Sequence, residues 1–405
     1  MLHRLKALRT NENVLIAIDT LVHSKGTFMS TFLMTYMIRT SLENEPTDFI
    51  IYKMFSYILM AIFAILLMGF LKRYTLLSWR LGMVFAVVQV LVIMFMDTQS
   101  LWFPYLLAAI TGIEAVLYHR PNTFFLVTEV RNDRRLRFQS IRQIFIEVAK
   151  IVMPVTLGLL ITDRGFSQAA IFILIISVVQ VLLSFLFRPS RELHERKHHL
   201  RVIWKKIMSS SLLRRVMYVQ FLRGALVSGS AFLIIPTLMV YDYTGSDLDL
   251  GIIASVAAVI AIVMILVYQQ LKRRKIGSRL FLGIIAPLTI ILPLILAIWP
   301  TAWVAILFYG FTVACFEGFL NMFLMLKIQN WLKKRASDHA YTLEVEAVSE
   351  VFLCTGRVAS LAIMLFVFMA SGTEYLAWFA VACAILVVPI VLLSTRSLNK
   401  QKNMV

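Results

Sequence analysis

Apolar residues run along this chain in twelve stretches, separated by shorter polar or charged segments. A helix of about 20 residues, rising about 1.5 Å per residue, can cross the roughly 30 Å hydrocarbon core of a bilayer. The stretches are continuously apolar and lack the period-two alternation of a transmembrane barrel strand, which favours helices. The pattern predicts transmembrane helices over residues 14–38, 49–71, 79–97, 101–127, 138–161, 168–187, 216–241, 250–271, 279–299, 301–327, 345–370 and 374–394.

The second six stretches repeat the first six at an offset of about 200 residues, which for example aligns Phe32 with Phe232. Internal repeats are typical of secondary transporters, whose substrate site lies where the repeats meet, near the middle of the membrane. We therefore expect two six-helix bundles, residues 1–187 and 216–405, the second including a short tail. A basic cytoplasmic linker over residues 188–215, containing an amphipathic helix, is expected to join them.

The sign of charge in the connecting segments alternates along the chain. Lys and Arg dominate the N-terminus, the linker 188–215, the C-terminal tail and every second connection, whereas Asp and Glu mark the others. Basic connections belong in the cytoplasm, so both termini are expected there and the protein in the cell membrane. The net charge of +18 follows from this topology and from contact with anionic lipids. It is no evidence for nucleic-acid binding.

Composition agrees with this class, because 60% of the residues are apolar and only 15% are charged. That balance exceeds what the core of a soluble protein needs. The composition therefore predicts an integral membrane protein with little room for a soluble domain.

Four charged residues interrupt the apolar stretches at matching depths in the two halves. Glu114 and Lys150 lie mid-way along the fourth and fifth stretches, and Glu317 and Arg357 lie mid-way along the tenth and eleventh. A charge at the bilayer centre costs about 2.5–3.5 kcal/mol, so each should face the protein interior and a partner. We expect Glu114 to pair with Lys150, and Glu317 with Arg357. Such pairs could lock neighbouring helices together, or exchange protons and hold a charged substrate group.

Polar residues in the first and seventh stretches add further candidates. Asp19 and His23 are four residues apart and share one helix face, so they could form a titrating pair. The repeat aligns His23 with Arg223, whose five donors suit a carboxylate or a phosphate. Packed polar contacts are an alternative for Asp19 and His23. Arg223 could equally extend its charge to the membrane surface.

The layout of six plus six helices, the central basic linker and the repeat resemble the major facilitator superfamily, and in particular bacterial twelve-helix efflux-type permeases. The resemblance implies that the first, fourth, seventh and tenth helices line a central cavity and that rocking of the two halves moves the substrate. Met153-Pro154 and Leu157-Gly158 partly match the antiporter signature of the fifth helix, which favours export. Of the loop signature after the second helix the chain retains Gly69, Lys72, Arg73 and Arg80, without the acidic residue.

These observations predict a secondary active transporter that exports a small organic or amphipathic solute by alternating access, coupled to protons and functional as a monomer. The alternatives are an uptake permease for an anionic or polar solute and a non-transporting membrane scaffold. The sequence contains no nucleotide-binding loop, no Gly-x-Ser-x-Gly elbow and no His/Asp metal cluster at mid-membrane. We therefore expect no enzymatic activity, cofactor or metal, and as partners only the solute, protons and membrane lipids.

Overall fold

The computed structural model describes residues 10–41, 45–130, 135–189, 200–227, 229–273, 278–313, 342–372 and 375–386. These residues are almost entirely helical and include no strand, which confirms the all-helical class. Within them, seven helical segments are long and apolar enough to cross a membrane, and one of these, Leu213–Thr244, includes parts of two consecutive helices: Thr47–Leu66, Thr75–Phe95, Ile141–Arg164, Phe166–Ser184, Leu213–Thr244, Asp247–Met264 and Leu343–Ser371. The arrangement of twelve helices in two bundles stays a prediction.

Helices occupy all of the first six predicted stretches. The first of these is α1 (Thr10–Thr27), which continues through a wide π-helical turn (Phe28–Phe32) into α2 (Leu33–Thr40). The others are α3 (Thr47–Leu66), α4 (Met68–Arg73), α5 (Thr75–Phe95), α6 (Phe103–Thr128), α7 (Arg135–Arg164) and α8 (Phe166–Ser184).

The seventh predicted stretch, 216–241, is divided between two helices. The first ends at Leu226 and the second begins at Ala231. Gly229, between them, has φ +67°, a conformation that glycine adopts without steric cost. The helices of this part of the chain are α9 (Leu200–Ser209), α10 (Ser211–Leu226), α11 (Ala231–Thr244), α12 (Asp247–Arg273), α13 (Ser278–Ile298), α14 (Ala302–Phe311), α15 (Thr342–Ser371) and α16 (Leu376–Leu386).

The chain groups into two compact units. The first unit comprises Met1–Ile203, Asp247–Ser255 and Asp338–Val351, and the second comprises Trp204–Ser246, Val256–Ser337 and Phe352–Val405. The first unit therefore contains the beginnings of α12 and α15 together with α1 to α8. The predicted division of the sequence at the linker 188–215 stays a prediction.

Glycine allows some of these helices to pack backbone against backbone. In the first unit, a Cβ atom on Gly82 of α5 would lie 2.6 Å from the backbone nitrogen of Tyr118 in α6. In the second unit, a Cβ on Gly224 of α10 would collide with the carbonyl oxygen of Leu353 in α15. Such close approach of small residues is a common way for helices to associate in membranes. In the first unit it fixes α6, which carries three side chains of the site described next.

Candidate functional site

The first unit buries or half-buries a group of polar side chains between its helices. We call this group the polar cluster: Asp19, His23 and Lys25 of α1, Gln89 of α5, Glu114, Tyr118 and Asn122 of α6, and Arg142, Glu147 and Lys150 of α7. Neither α1 nor α6 is among the seven described segments that are long and apolar enough to cross a membrane. Their polar residues lower their hydropathy, and those residues face the interior because lipid cannot solvate them.

Asp19 is the most heavily hydrogen-bonded member of the cluster. Its Oδ1 accepts from the hydroxyl of Tyr118 at 2.6 Å and from Nδ2 of Asn122 at 2.8 Å, and its Oδ2 accepts from Nε of Arg142. The predicted side-chain pair with His23 is not formed. Instead Nδ1 of His23 donates to the backbone carbonyl of Asp19 at 2.7 Å, one helical turn earlier. The carboxylate is engaged by the guanidinium on α7, which binds it more strongly than a neutral ring can.

Glu114 pairs with a lysine of α1. Nζ of Lys25 lies 3.1 Å from Oε1 of Glu114 and donates to Oε1 of Gln89 at 3.0 Å. The predicted pair of Glu114 with Lys150 is therefore wrong. Lys150 has its nearest carboxylate on its own helix, at 3.9 Å from Oε1 of Glu147.

The arrangement of the helices explains this outcome. Helix α7 packs against α1 and α8, whereas α6 packs against α3 and α5. Helices α6 and α7 follow each other in sequence but pack against different neighbours, and α1 supplies the partners for charges on both. Lys25 pairs with the acid of α6, and Asp19 pairs with a base of α7.

The candidates of the second repeat lie elsewhere. Arg223 on α10 is 5% exposed, so it does not extend its charge to the surface, and its Nη1 donates to Oε1 of Gln220 at 3.1 Å. Arg357 is half-buried on α15. Glu317 lies outside the described residues, so its pairing with Arg357 stays a prediction.

Three further ion pairs join the first unit's helices to the beginnings of α12 and α15. Asp247 accepts from Nη2 of Arg39 at 2.6 Å and from the hydroxyl of Thr35 at 2.7 Å. Lys72 lies 2.5 Å from Glu344, with side chains 1% and 0% exposed. Nη2 of Arg120 lies 2.9 Å from Oε2 of Glu350.

Sequence reasoning missed these pairs and also missed Arg142. One available signal for Asp247 and Glu344 is their place in the first turn of a helix, where acidic side chains are favoured. For Arg142 the signal is its position four residues inside the predicted stretch 138–161. At that depth a charge needs a partner.

Fold and site together define a helical protein with many apolar helices and with charged groups buried between them. Residues 16–342 match the family model of the Major Facilitator Superfamily, and the chain belongs to that family. It is therefore a multi-pass membrane protein of a transporter family. No curated protein matches the chain.

Solved structures with the same fold include two transporters of the POT family. One, in complex with 5-aminolevulinic acid, is 13% identical with a TM-score of 0.66, and the match covers 95% of this chain and 96% of that one. The other, in complex with a thioalcohol conjugated peptide, is 12% identical with a TM-score of 0.66, and 96% of each chain is covered. At this level of identity the similarity shows the fold alone.

Proposed function

We propose that this protein is a secondary active transporter that moves a small organic or amphipathic solute out of the cell, across the cell membrane, in exchange for protons. Membership of the Major Facilitator Superfamily supports the class. In the proposed arrangement, two six-helix bundles, residues 1–187 and 216–405, give alternating access to a central site. Both termini are cytoplasmic, and a monomer contains the whole pathway.

The observation that carries proton coupling is the ion pair of Glu114 and Lys25. Both side chains are at least nine-tenths buried, and Lys25 is the base that compensates the charge of Glu114. A buried carboxylate takes up a proton readily once its base moves away, because the remaining charge is no longer compensated. A change in helix packing that separates α1 from α6 would therefore load a proton on Glu114.

Export is supported by the close approach of α7 to the beginning of α12. A Cβ on Gly158 would lie 2.9 Å from the carbonyl oxygen of Asp247, and Ser255 donates to the carbonyl oxygen of Ile151 at 2.6 Å. A fifth transmembrane helix that contains Pro154 and packs this tightly fits the antiporter signature that Met153-Pro154 and Leu157-Gly158 partly match.

Uptake of an anionic or polar solute is the second candidate. It is favoured by Arg142 and Lys150, which are 23% and 29% exposed and offer positive charge at the edge of the polar cluster. The direction of proton movement relative to solute movement separates the two candidates.

The test is reconstitution in lipid vesicles with an imposed pH gradient. Internal pH is followed while sugars, drugs, peptides, lipophilic cations and organic anions are added in turn. We expect proton movement that depends on one class of solute and that Glu114→Gln abolishes while the melting temperature stays near that of the wild type. Asp163→Asn, at an exposed position near the end of α7, serves as the control and should transport normally.

Absence of proton movement with every compound would contradict proton coupling. Solute counterflow without proton movement would then indicate another driving ion, and absence of counterflow would indicate a scaffold.

A further inference from the structure

Three nitrogen-bearing side chains of the polar cluster keep hydrogen-bonding capacity that no described residue uses. Arg142 donates from Nε to Asp19, but Nη1 and Nη2 have no partner in the described part of the chain. Lys150 lies 3.9 Å from Glu147, which is too long for a hydrogen bond. His23 uses only Nδ1, so Nε2 has no partner among the residues that the structure describes.

Most acceptors of the cluster are by contrast engaged, although Oδ1 of Asn122 has no partner among the described residues. The carboxylate of Asp19 accepts from three donors, and Oε1 of Glu147 accepts from Nε2 of Gln143 at 2.5 Å. Lys25, the remaining cation, is only 5% exposed and is held by Glu114 and Gln89. What the cluster still offers to a ligand is therefore mainly donors, and most of them are cationic.

The three side chains lie on two helices that pack against each other, with His23 on α1 and Arg142 and Lys150 on α7. Asp19 accepts from both helices, at its backbone carbonyl from His23 and at its carboxylate from Arg142. Arg142 and Lys150 are eight residues apart on α7, which corresponds to about 12 Å along the helix axis. An extended ligand can meet the guanidinium with one end and approach the ammonium along the same helix.

Resting on the function proposed above, we propose that Arg142 binds the anionic group of the transported solute, an organic carboxylate or phosphate, and that Lys150 and His23 line the same site. The planar guanidinium donates two parallel hydrogen bonds to such a group, and the ammonium adds a compact positive charge. An anionic lipid headgroup shares this chemistry. The experiment therefore has to separate a soluble solute from a lipid.

The test measures thermal stabilisation of the full-length protein in detergent by four probes that each contain a phenyl ring. Two are anions, 4-phenylbutyrate and phenyl phosphate. The other two are the neutral 4-phenylbutyramide and the cationic 3-phenylpropyltrimethylammonium. We expect stabilisation by the anions only. Lys150→Gln and Arg142→Lys should each weaken it at least about tenfold in apparent affinity, which corresponds to about 1.4 kcal/mol.

These variants are chosen to fold. Lys150 makes no hydrogen bond with a described residue, and Arg142→Lys keeps a positive charge beside Asp19 while removing the planar fork. Arg164→Gln, at an exposed position on the same helix, is the matched control and should bind the anions like the wild type.

Three outcomes would overturn the proposal. The amide stabilises the protein as much as the carboxylate does, Lys150→Gln binds the anions with wild-type affinity, or neither anion stabilises the protein. Stabilisation by dioleoylphosphatidylglycerol that Lys150→Gln abolishes, without stabilisation by either soluble anion, would assign the site to lipid and overturn the proposal as well. The proposal is supported if stabilisation by the anions depends on Lys150 and Arg142 and the lipid competes with them.

The vesicle assay keeps the two proposals apart. Proton movement driven by a neutral or cationic solute and unchanged in Lys150→Gln would support coupled transport and overturn the anion site. Anion binding that Lys150→Gln weakens, without solute-dependent proton movement, would support the anion site and contradict proton-coupled transport.

Discussion

At the scale of single residues, the pair of Lys25 and Glu114 either holds two helices together or also carries protons. Lys25→Met leaves a buried carboxylate without its base, and we expect the free energy of unfolding to fall by about 3–5 kcal/mol. In the double variant with Glu114→Gln no charge is left uncompensated, so most of that loss should be recovered. Chemical denaturation in mixed micelles measures both effects, with Lys205→Met at an exposed position as the control.

Equal stability of the single and double variants would contradict the importance of this pair. Transport by the double variant decides its role. If the folded double variant still moves solute together with protons, the pair is purely structural. If the folded double variant shows no proton movement, the pair is part of the coupling.

The sequence predicts at this scale which residues are charged inside the membrane, because a charge in an apolar stretch is visible from hydropathy alone. It does not predict their partners. Lys150 lies mid-way along the stretch that follows that of Glu114, yet Lys25 is the partner, since α1 supplies the lysine that reaches α6. The hydropathy pattern does not single out Arg142, because this residue lies near the beginning of the predicted stretch 138–161.

At the scale of helices, the contact between α5 and α6 depends on a missing side chain. A Cβ on Gly82 would lie 2.6 Å from the backbone nitrogen and 2.9 Å from Cα of Tyr118, and backbone cannot rotate away as a side chain can. Gly82→Ala should therefore separate the helices and move Tyr118, whose hydroxyl holds Asp19. We expect a loss of about 1–3 kcal/mol in unfolding free energy and weaker transport.

Gly69→Ala is the matched control for this prediction. No atom of a neighbouring segment lies within 4 Å of a Cβ at Gly69 on α4, and alanine favours the helix more than glycine does. Denaturation and vesicle transport should therefore leave Gly69→Ala at or slightly above the wild type. If Gly82→Ala matches Gly69→Ala, the close contact does not limit stability.

Helix positions follow well from hydropathy, but helix breaks do not. The first six stretches each contain the helix or helices expected, because length and apolarity are properties of local sequence. The division of 216–241 at Gly229 was not predicted. In the sequence, a single glycine in an apolar run is compatible with a continuous helix. The break between the two helices is visible only in the structure, where Gly229 has a positive φ.

At the scale of the whole molecule, the grouping of segments depends on contacts between residues that are far apart in sequence. The first unit takes in Asp247–Ser255 and Asp338–Val351 from the second sequence repeat. The ion pairs of Asp247 and Glu344 belong to this grouping. The repeat in the sequence shows which segments are equivalent, but it contains no information on which helices are neighbours.

Alternating access makes a prediction about two of these pairs. In the proposed topology, Arg39 and Asp247 lie at the outer ends of their helices, and Lys72 and Glu344 lie at the cytoplasmic ends. The pair of Arg39 and Asp247 would have to break for the protein to open to the outside. The pair of Lys72 and Glu344 would have to break for it to open to the cytoplasm. A charged hydrogen bond contributes about 1.5–3 kcal/mol, so removing it should shift the ratio of open to closed forms roughly tenfold or more.

The measurement uses Thr27→Cys on α1, in a protein whose Cys315, Cys354 and Cys383 have been replaced. It records the rate at which a membrane-impermeant maleimide labels the introduced thiol. Asp247→Asn should raise labelling from the outside. Lys72→Met combined with Glu344→Gln, which leaves no buried charge alone, should raise labelling from the cytoplasmic side. Asp163→Asn, exposed and outside both pairs, should change neither rate. If both changes raise labelling from the same side, the two pairs do not close opposite ends of one pathway, because a protein that opens alternately must respond in opposite directions.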